Sequence, residues 1–310
     1  MLFLTLTAAG AAAAQRPLEE FDRLVGRLAG MTAVTGYEQG MVDTLLALVP
    51  GAARDRAGNA VRPGSAGRRR LVACALDEPG WVVGGVRPDG WLTLRRSPGP
   101  VATLRDQQLE GARVTVHGRR GPVPGVVAVR SIHLTRQRAD RSGGPFTADS
   151  ALVDLGAESS DQVARLGVEV LSVVTLAKRV HRYGDGLLAG PHLGRRAACA
   201  ALVHAAGMAP AGSATIAFLV QQELAGRGLA AVAGLSGPFE ETLLVEASGD
   251  GPGPVRRLDD GGSATRASGL GRVSRLALPV RYAGSPVETV STADAAALAA
   301  QIAAWLGRDR

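Results

Sequence analysis

The chain reads as an α/β protein, with a central mixed sheet flanked by helices and a small β-barrel-like domain inserted into it. Short apolar runs such as "LVACAL" (71–76) and "ATIAFLV" (214–220) alternate with longer stretches of helical spacing, the pattern of buried strands joined by crossover helices. Between about Gly80 and Ala151 the texture changes to short β-like pieces cut by Gly and Pro, as in a small barrel or sandwich. At 310 residues and 46% apolar, the chain is long enough for one large core and one smaller one.

The elements follow in order. "PLEEFDRLVGRLAGM" (17–31) places Leu18, Phe21, Leu24, Val25 and Leu28 on one helix face. After "VTGYEQG", the stretch "MVDTLLALVP" (41–50) predicts a second helix stopped by Pro50. "LVACAL" closed by "DEPG" (77–80) predicts a buried strand and a turn. Inside the insertion, "WVVGGV", "WLTLRR", "ARVTVHG" and "GVVAVRSIHL" predict strands. "SSDQVARLGV" (159–168) predicts a helix, after which strand and helix patterns return: "GRRAACAALVHAAG" helical, "ATIAFLV" a strand, "GLAAVAGL" helical, "TLLVEA" and "LALPVRY" strands. "STADAAALAAQIAAWLGR" (291–308) opens with a capping-box-like Ser291-x-x-Asp294 and predicts a final helix. The organisation expected is therefore a candidate signal segment at 1–16, a larger α/β domain from 17–79 and 152–310, and the insertion at 80–151.

Net charge is +7, but the basic residues are almost all Arg, with Lys178 the only lysine. Aromatic interleaving and nucleic-acid motifs are missing, so no nucleic-acid partner is expected. The "GRRR" cluster at 67–70 precedes a strand-like run and reads as a solvated strand start rather than a phosphate-binding patch. Cys74 and Cys199 lie in apolar runs without a CxxC partner; they argue against a zinc ribbon and read as buried small hydrophobes. The N-terminal "MLFLTLTAAGAAAAQ" has small residues at signal-peptidase spacing but no basic start. A secretory signal and an apolar extension both remain open, and with them a secreted or periplasmic location and a cytoplasmic one. No run is long and apolar enough to span a bilayer.

Three expected strand exits carry acids: Asp77 and Glu78, then Glu223, then Glu246 with Asp250. If these strands are neighbours, the carboxylates converge; spacing alone favours solvated loop charges over a metal site. The histidines do not adjoin these acids in sequence: His117 and His133 lie in the insertion, and His181, His192 and His204 around a loop and helix. GxSxG, Walker, HExxH and dinucleotide fingerprints are absent.

Taken together, "VTGYEQ" (34–39), "DRAGN" (55–59), "LVACALDEPGWVV" (71–83), "VDLGAESSDQVARLGV" (153–168), "FLVQQELAGRG" (218–228) and "RYAGSPVETV" (281–290) resemble, in order, the family of glutamyl aminopeptidase and the tetrahedral aminopeptidases. The resemblance spans nearly the whole chain and implies a zinc-aminopeptidase-like fold whose insertion mediates homo-oligomers. It also implies two divalent ions, zinc or cobalt, roughly 3.5–4 Å apart, that activate a water while a Glu takes its proton.

Carried over residue by residue, that machinery is broken. The family's His-x-Asp-Glu string reads Ala75-Leu76-Asp77-Glu78, and the bridging Asp falls at Gly194 in "LGRRAAC". The Gln-Glu-Glu string reads Gln221-Gln222-Glu223, which puts Gln222 at the general-base position and leaves Glu223 as a ligand. Glu246 stands for a ligand Asp, and Gly284 for the last His. Gln has no proton-accepting state near neutral pH. The implied function is an aminopeptidase homologue without catalysis, with a structural or peptide-binding role and no cofactor. Its pocket candidates are Asp77, Glu78, Gln222, Glu223 and Glu246. The alternative is an active metal-dependent aminopeptidase or related hydrolase with a rebuilt site and two divalent ions.

Overall fold

The computed structural model describes residues 19–65, 67, 69–97, 106–129, 146–210, 212–249, 251, 253–259 and 268–308. The candidate signal segment, Arg68, Asp250 and the part of "GVVAVRSIHL" that contains His133 lie outside them.

Seven strands form the central sheet in the order β1 (Ala53–Arg54), β2 (Ala60–Arg62), β12 (Thr215–Leu219), β3 (Arg70–Ala75), β13 (Glu241–Ser248), β15 (Arg272–Pro279) and β14 (Arg256–Asp259). The inner four, β12, β3, β13 and β15, are parallel and end at the same edge, while each outer strand pairs antiparallel with its inner neighbour. The acid-bearing exits are thus neighbours, as their adjacency in the fold requires for any shared site.

Helices cover both faces, which is why β3 and β12 read as unbroken apolar runs. On one face lie α1 (19–29), α2 (Gln39–Leu48), α4 (Leu193–Met208) and α6 (Thr292–Leu306), sharing a core with Phe21, Leu45, Leu202, Phe218 and Trp305. On the other, Leu229 and Val232 of α5 (Arg227–Ser236) pack on Leu71, Ala73 and Ala217. α4 is buried along most of its length, and its many alanines allow strands and helices to approach closely. Ser291 caps α6 by accepting from the Asp294 N–H at 3.2 Å, as its sequence pattern predicts.

The inserted strands close into a barrel: β4 (Trp81–Val86), β5 (Leu92–Arg96), β8 (Leu152–Asp154), β7 (Gly121–Val127), β6 (Arg113–Gly118) and β9 (Val173–Leu176). β8 and β9 lie past residue 151, where the texture placed the end of the insertion. The short helix α3 (Ser160–Arg165), capped by Ser159, resembles a return to the α/β pattern but lies between two barrel strands. A third sheet, β10 (His181–Tyr183), β11 (Leu187–Ala189) and β16 (Thr289–Ser291), was not legible in the sequence; it carries the loop 281–288 beside the strand exits.

Two arginines of the basic cluster make structural contacts, and the expectation of a solvated strand start fails at Arg70. Arg70 is buried, stacks 3.9 Å from the Trp305 ring centroid and pairs with Glu241, while Arg69 pairs with Glu240. Three histidines are also structural: His117 hydrogen-bonds Thr32 and Thr175, His204 packs edge-on against Phe21, and His181 stacks on Tyr183.

Candidate functional site

The exits of β3 and β12 are tied together by Asp77. Its fully buried carboxylate accepts from the Thr35 hydroxyl at 2.9 Å and from the backbone N–H groups of Gln222 and Glu223 at 3.0 Å each. A second brace comes from the "DRAGN" turn: Asn59 accepts from the Val220 N–H at 2.9 Å and donates to Asp55 and to the Gly228 carbonyl. Glu38, whose carboxyl burial pushes up, accepts from the Gln221 N–H. These contacts hold Gln221 at φ +53, a left-handed conformation that costs an L-residue roughly 1–2 kcal/mol. His192, Ala225 and Tyr282 share that conformation, and Leu171, just before barrel strand β9, is the other described non-glycine residue with a positive φ.

Side-chain cations occupy the acids. Glu78, 1% exposed, receives both Lys178 at 2.6 Å and Arg196 at 2.7 Å on one oxygen, and these two charges hold its carboxyl far below the usual range against the opposing effect of burial. Arg195 binds Glu223 at 2.9 Å and also donates to the Asp77 carbonyl. Glu246 pairs with Arg275 at 3.3 Å. It does not join the other acids: along β13, Leu243 and Val245 face α4 while Leu244 faces the α5 side, and strand alternation puts Glu246 on that second face. Its place beside α4 is taken by Ala247, whose Cβ would lie 2.8 Å from a Cβ built on Gly194. Like-charge repulsion between Glu223 and Glu246 therefore does not arise, because each has its own arginine.

The glycine positions are held by a residue that the sequence reading missed. Glu288, 7% exposed, accepts from the Gly194 N–H at 2.7 Å and from the Gly284 N–H at 2.8 Å. It thereby links the start of α4 to the loop 281–288. A Cβ at Gly194 would meet Val280 Cγ1 at 2.6 Å and Glu288 Oε1 at 2.9 Å as well as Ala247; no side chain fits there without displacement. Gly284, at φ +70, has open space around it. Ala75, half-buried, closes β3. The only local signal for Glu288 was its place in "RYAGSPVETV", where it reads as one more loop acid.

Gln222 turns toward α5. With its amide oriented to satisfy its neighbours, the oxygen accepts from the N–H groups of Gly228 at 3.2 Å and Leu229 at 2.9 Å, capping the helix start. His192 precedes α4, and burial pushes its pKa down to about 3, so the imidazole is neutral.

The expectation for the cysteines is corrected. Cys74 and Cys199 are buried but not free: they form a disulfide between β3 and α4. Their 125-residue separation hid the pairing.

Two ions sharing a carboxylate need three or four donors each. Here the Asp77 oxygens are engaged by N–H and O–H donors, one Glu78 oxygen and Glu223 by cations, and Glu288 by two backbone amides, which leaves the second Glu78 oxygen as a single buried acceptor without a partner. Among the described residues, no group of three or more His, Cys, Asp or Glu is placed to hold a metal ion. The donor set does not fit the implied pair of ions.

The chain is 28% identical over 214 residues to a lysyl aminopeptidase of Pyrococcus furiosus, covering 66% of this chain and 60% of that protein; it spans about half the length of the curated relatives it matches. In fold it is similar to an aminopeptidase from Desulfurococcus kamchatkensis, with a TM-score of 0.78 at 19% identity over 94% of this chain and 96% of that one. The Pyrococcus horikoshii TET1 peptidase, described as assembling into a tetrahedron or a large octahedral shell, gives the same score and identity over 93% of this chain and 100% of its own. Residues 58–237, more than half of the chain, match the family described as M42 glutamyl aminopeptidase, and the chain belongs to that family.

Proposed function

We propose that this family member does not hydrolyse peptides, and that its pocket serves binding or scaffolding. The observation that carries the reading is Gly194. A bridging carboxylate has no room at that position, because Val280, Ala247 and the Glu288 carboxylate close around it. The missing base at Gln222 reinforces it, since its amide caps α5 rather than facing a substrate. Loss of general-base help alone would slow a hydrolase by about 10²–10⁴-fold. Loss of the metal-activated water removes the nucleophile itself.

The barrel would serve self-association, by analogy with the assemblies described for the TET1 peptidase. Light scattering showing a monomer at micromolar concentration would count against that part.

The deciding experiment is metal analysis of the purified full chain, followed by assay of aminoacyl-peptides and aminoacyl-anilides with added zinc, cobalt or manganese. Background turnover and substoichiometric metal are expected. Stoichiometric metal with metal-dependent turnover would overturn the reading and establish an aminopeptidase with a rebuilt site.

A further inference from the structure

Cys74 is the residue before Ala75 on β3, and Cys199 lies on α4 five residues after Gly194. Both are 2% exposed. Their Cα atoms are 5.6 Å apart, inside the separation of roughly 4.4–6.8 Å that a disulfide spans without backbone movement. They are the chain's two cysteines, so no rival pairing exists within it.

The position of this bond gives it a role. β3 and α4 form two walls of the site, yet neither Ala75 nor Gly194 has a side chain that reaches the other wall. Polar ties between these elements include Arg196 to the Leu76 carbonyl and to Glu78 at 2.7 Å, and Arg195 to the Asp77 carbonyl, all made by side chains that also neutralise carboxylates. We propose that Cys74–Cys199 is the covalent tie that holds β3 against α4 beneath the site, and that the native protein matures where a disulfide-type oxidant is present. The chemistry is a two-electron exchange. One cysteine thiolate attacks the oxidant's disulfide and forms a mixed disulfide. The second displaces it, so that the oxidant leaves as a dithiol carrying the two protons given up by the chain's thiols. The loop closed by the bond, 125 residues in sequence separation, contains every barrel strand. Such a link restricts the unfolded chain strongly, and it is buried from reductants while the protein stays folded. This proposal is independent of whether the site is catalytic.

The test uses the full chain, produced in an oxidising compartment and purified without reductant. Unfolded in the presence of a maleimide, it should take up no label; after reduction it should take up two. Wild type reduced while unfolded and then refolded under a phosphine should melt roughly 5–15 °C lower, with hydrogen exchange accelerated most at residues 71–78 and 193–199. The Cys74→Ala/Cys199→Ala variant should match the reduced wild type. If the variant does not fold, titrating the wild type with reductant gives the same information. Two labels before reduction would overturn the proposal. So would an unchanged Tm with unchanged exchange in those two segments.

Discussion

The two sides of the site are built in opposite ways. On the side of β3 and β12, carboxylates are plentiful and each has a cation or an amide: Glu78 has Lys178 and Arg196 on one oxygen while its other oxygen is buried without a hydrogen-bond partner, Glu223 has Arg195, and Asp77 has three donors. On the side of α4 and the loop 281–288, Glu288 reaches across two glycines, of which Gly194 is closely packed and Gly284 has open space around it. The first side differs from a metal site in what its acids touch. The second differs in shape, and shape is harder to reverse, because a tightly packed interior does not yield to one substitution.

The largest effect is expected on the acid side. Glu78→Ala leaves Lys178 and Arg196 buried without their partner and should cost about 3–5 kcal/mol of stability, read from denaturant unfolding. A cost below about 1 kcal/mol would mean that the two cations find other acceptors. Next is Gly194→Asp, which drives a side chain into Val280 and Ala247 and a second carboxylate against Glu288. It should cost about 3 kcal/mol and add no bound metal; a stable variant that gains zinc would erase the distinction between the two sides. Glu288→Ala strips the acceptor from two N–H groups and should cost about 2 kcal/mol, with Glu288→Gln costing roughly half of that.

Acid should weaken both sides' neighbours in a set order. His192 is neutral when folded, with its pKa pushed to about 3 from 6.5, so the unfolded chain binds the extra proton first and stability falls as pH drops from 6.5 toward 3. Glu78, held far below the usual carboxylate range by Arg196 and Lys178, adds a further loss as pH falls through that usual range. His192→Asn, which tolerates the left-handed backbone, should flatten the upper part of the curve in a pH series of thermal melts. The smallest effect belongs to Gln222→Glu. A carboxylate at the start of α5 can still cap it, so stability should change by no more than about 1 kcal/mol. Turnover should remain at background.

Much of the site's chemistry was legible one residue at a time. The Asp77 carboxylate and the Gln222–Glu223 backbone meet at adjoining strand exits because parallel strands with apolar runs end at one edge. Glu246 was not placed correctly, because alignment to a motif does not reveal which sheet face a strand residue takes. The barrel's last strands were missed because α3 mimics the surrounding pattern. Glu288 and the disulfide were missed for a shared reason: both act across distances in sequence that no local pattern records.

The sequence by itself determined the fold class, the family and the absence of ligand-type side chains at Ala75, Gly194 and Gly284, since these depend on residue type and on short-range periodicity. Only the tertiary structure decided how the site is closed. Glu288 sits 94 residues from Gly194, Lys178 sits 100 from Glu78, and Cys199 sits 125 from Cys74. Each of these contacts exists because the packing of β3, α4, the loop 281–288 and the segment after β9 brings distant parts of the chain within a few ångströms, and side chains with no local partner then meet one another.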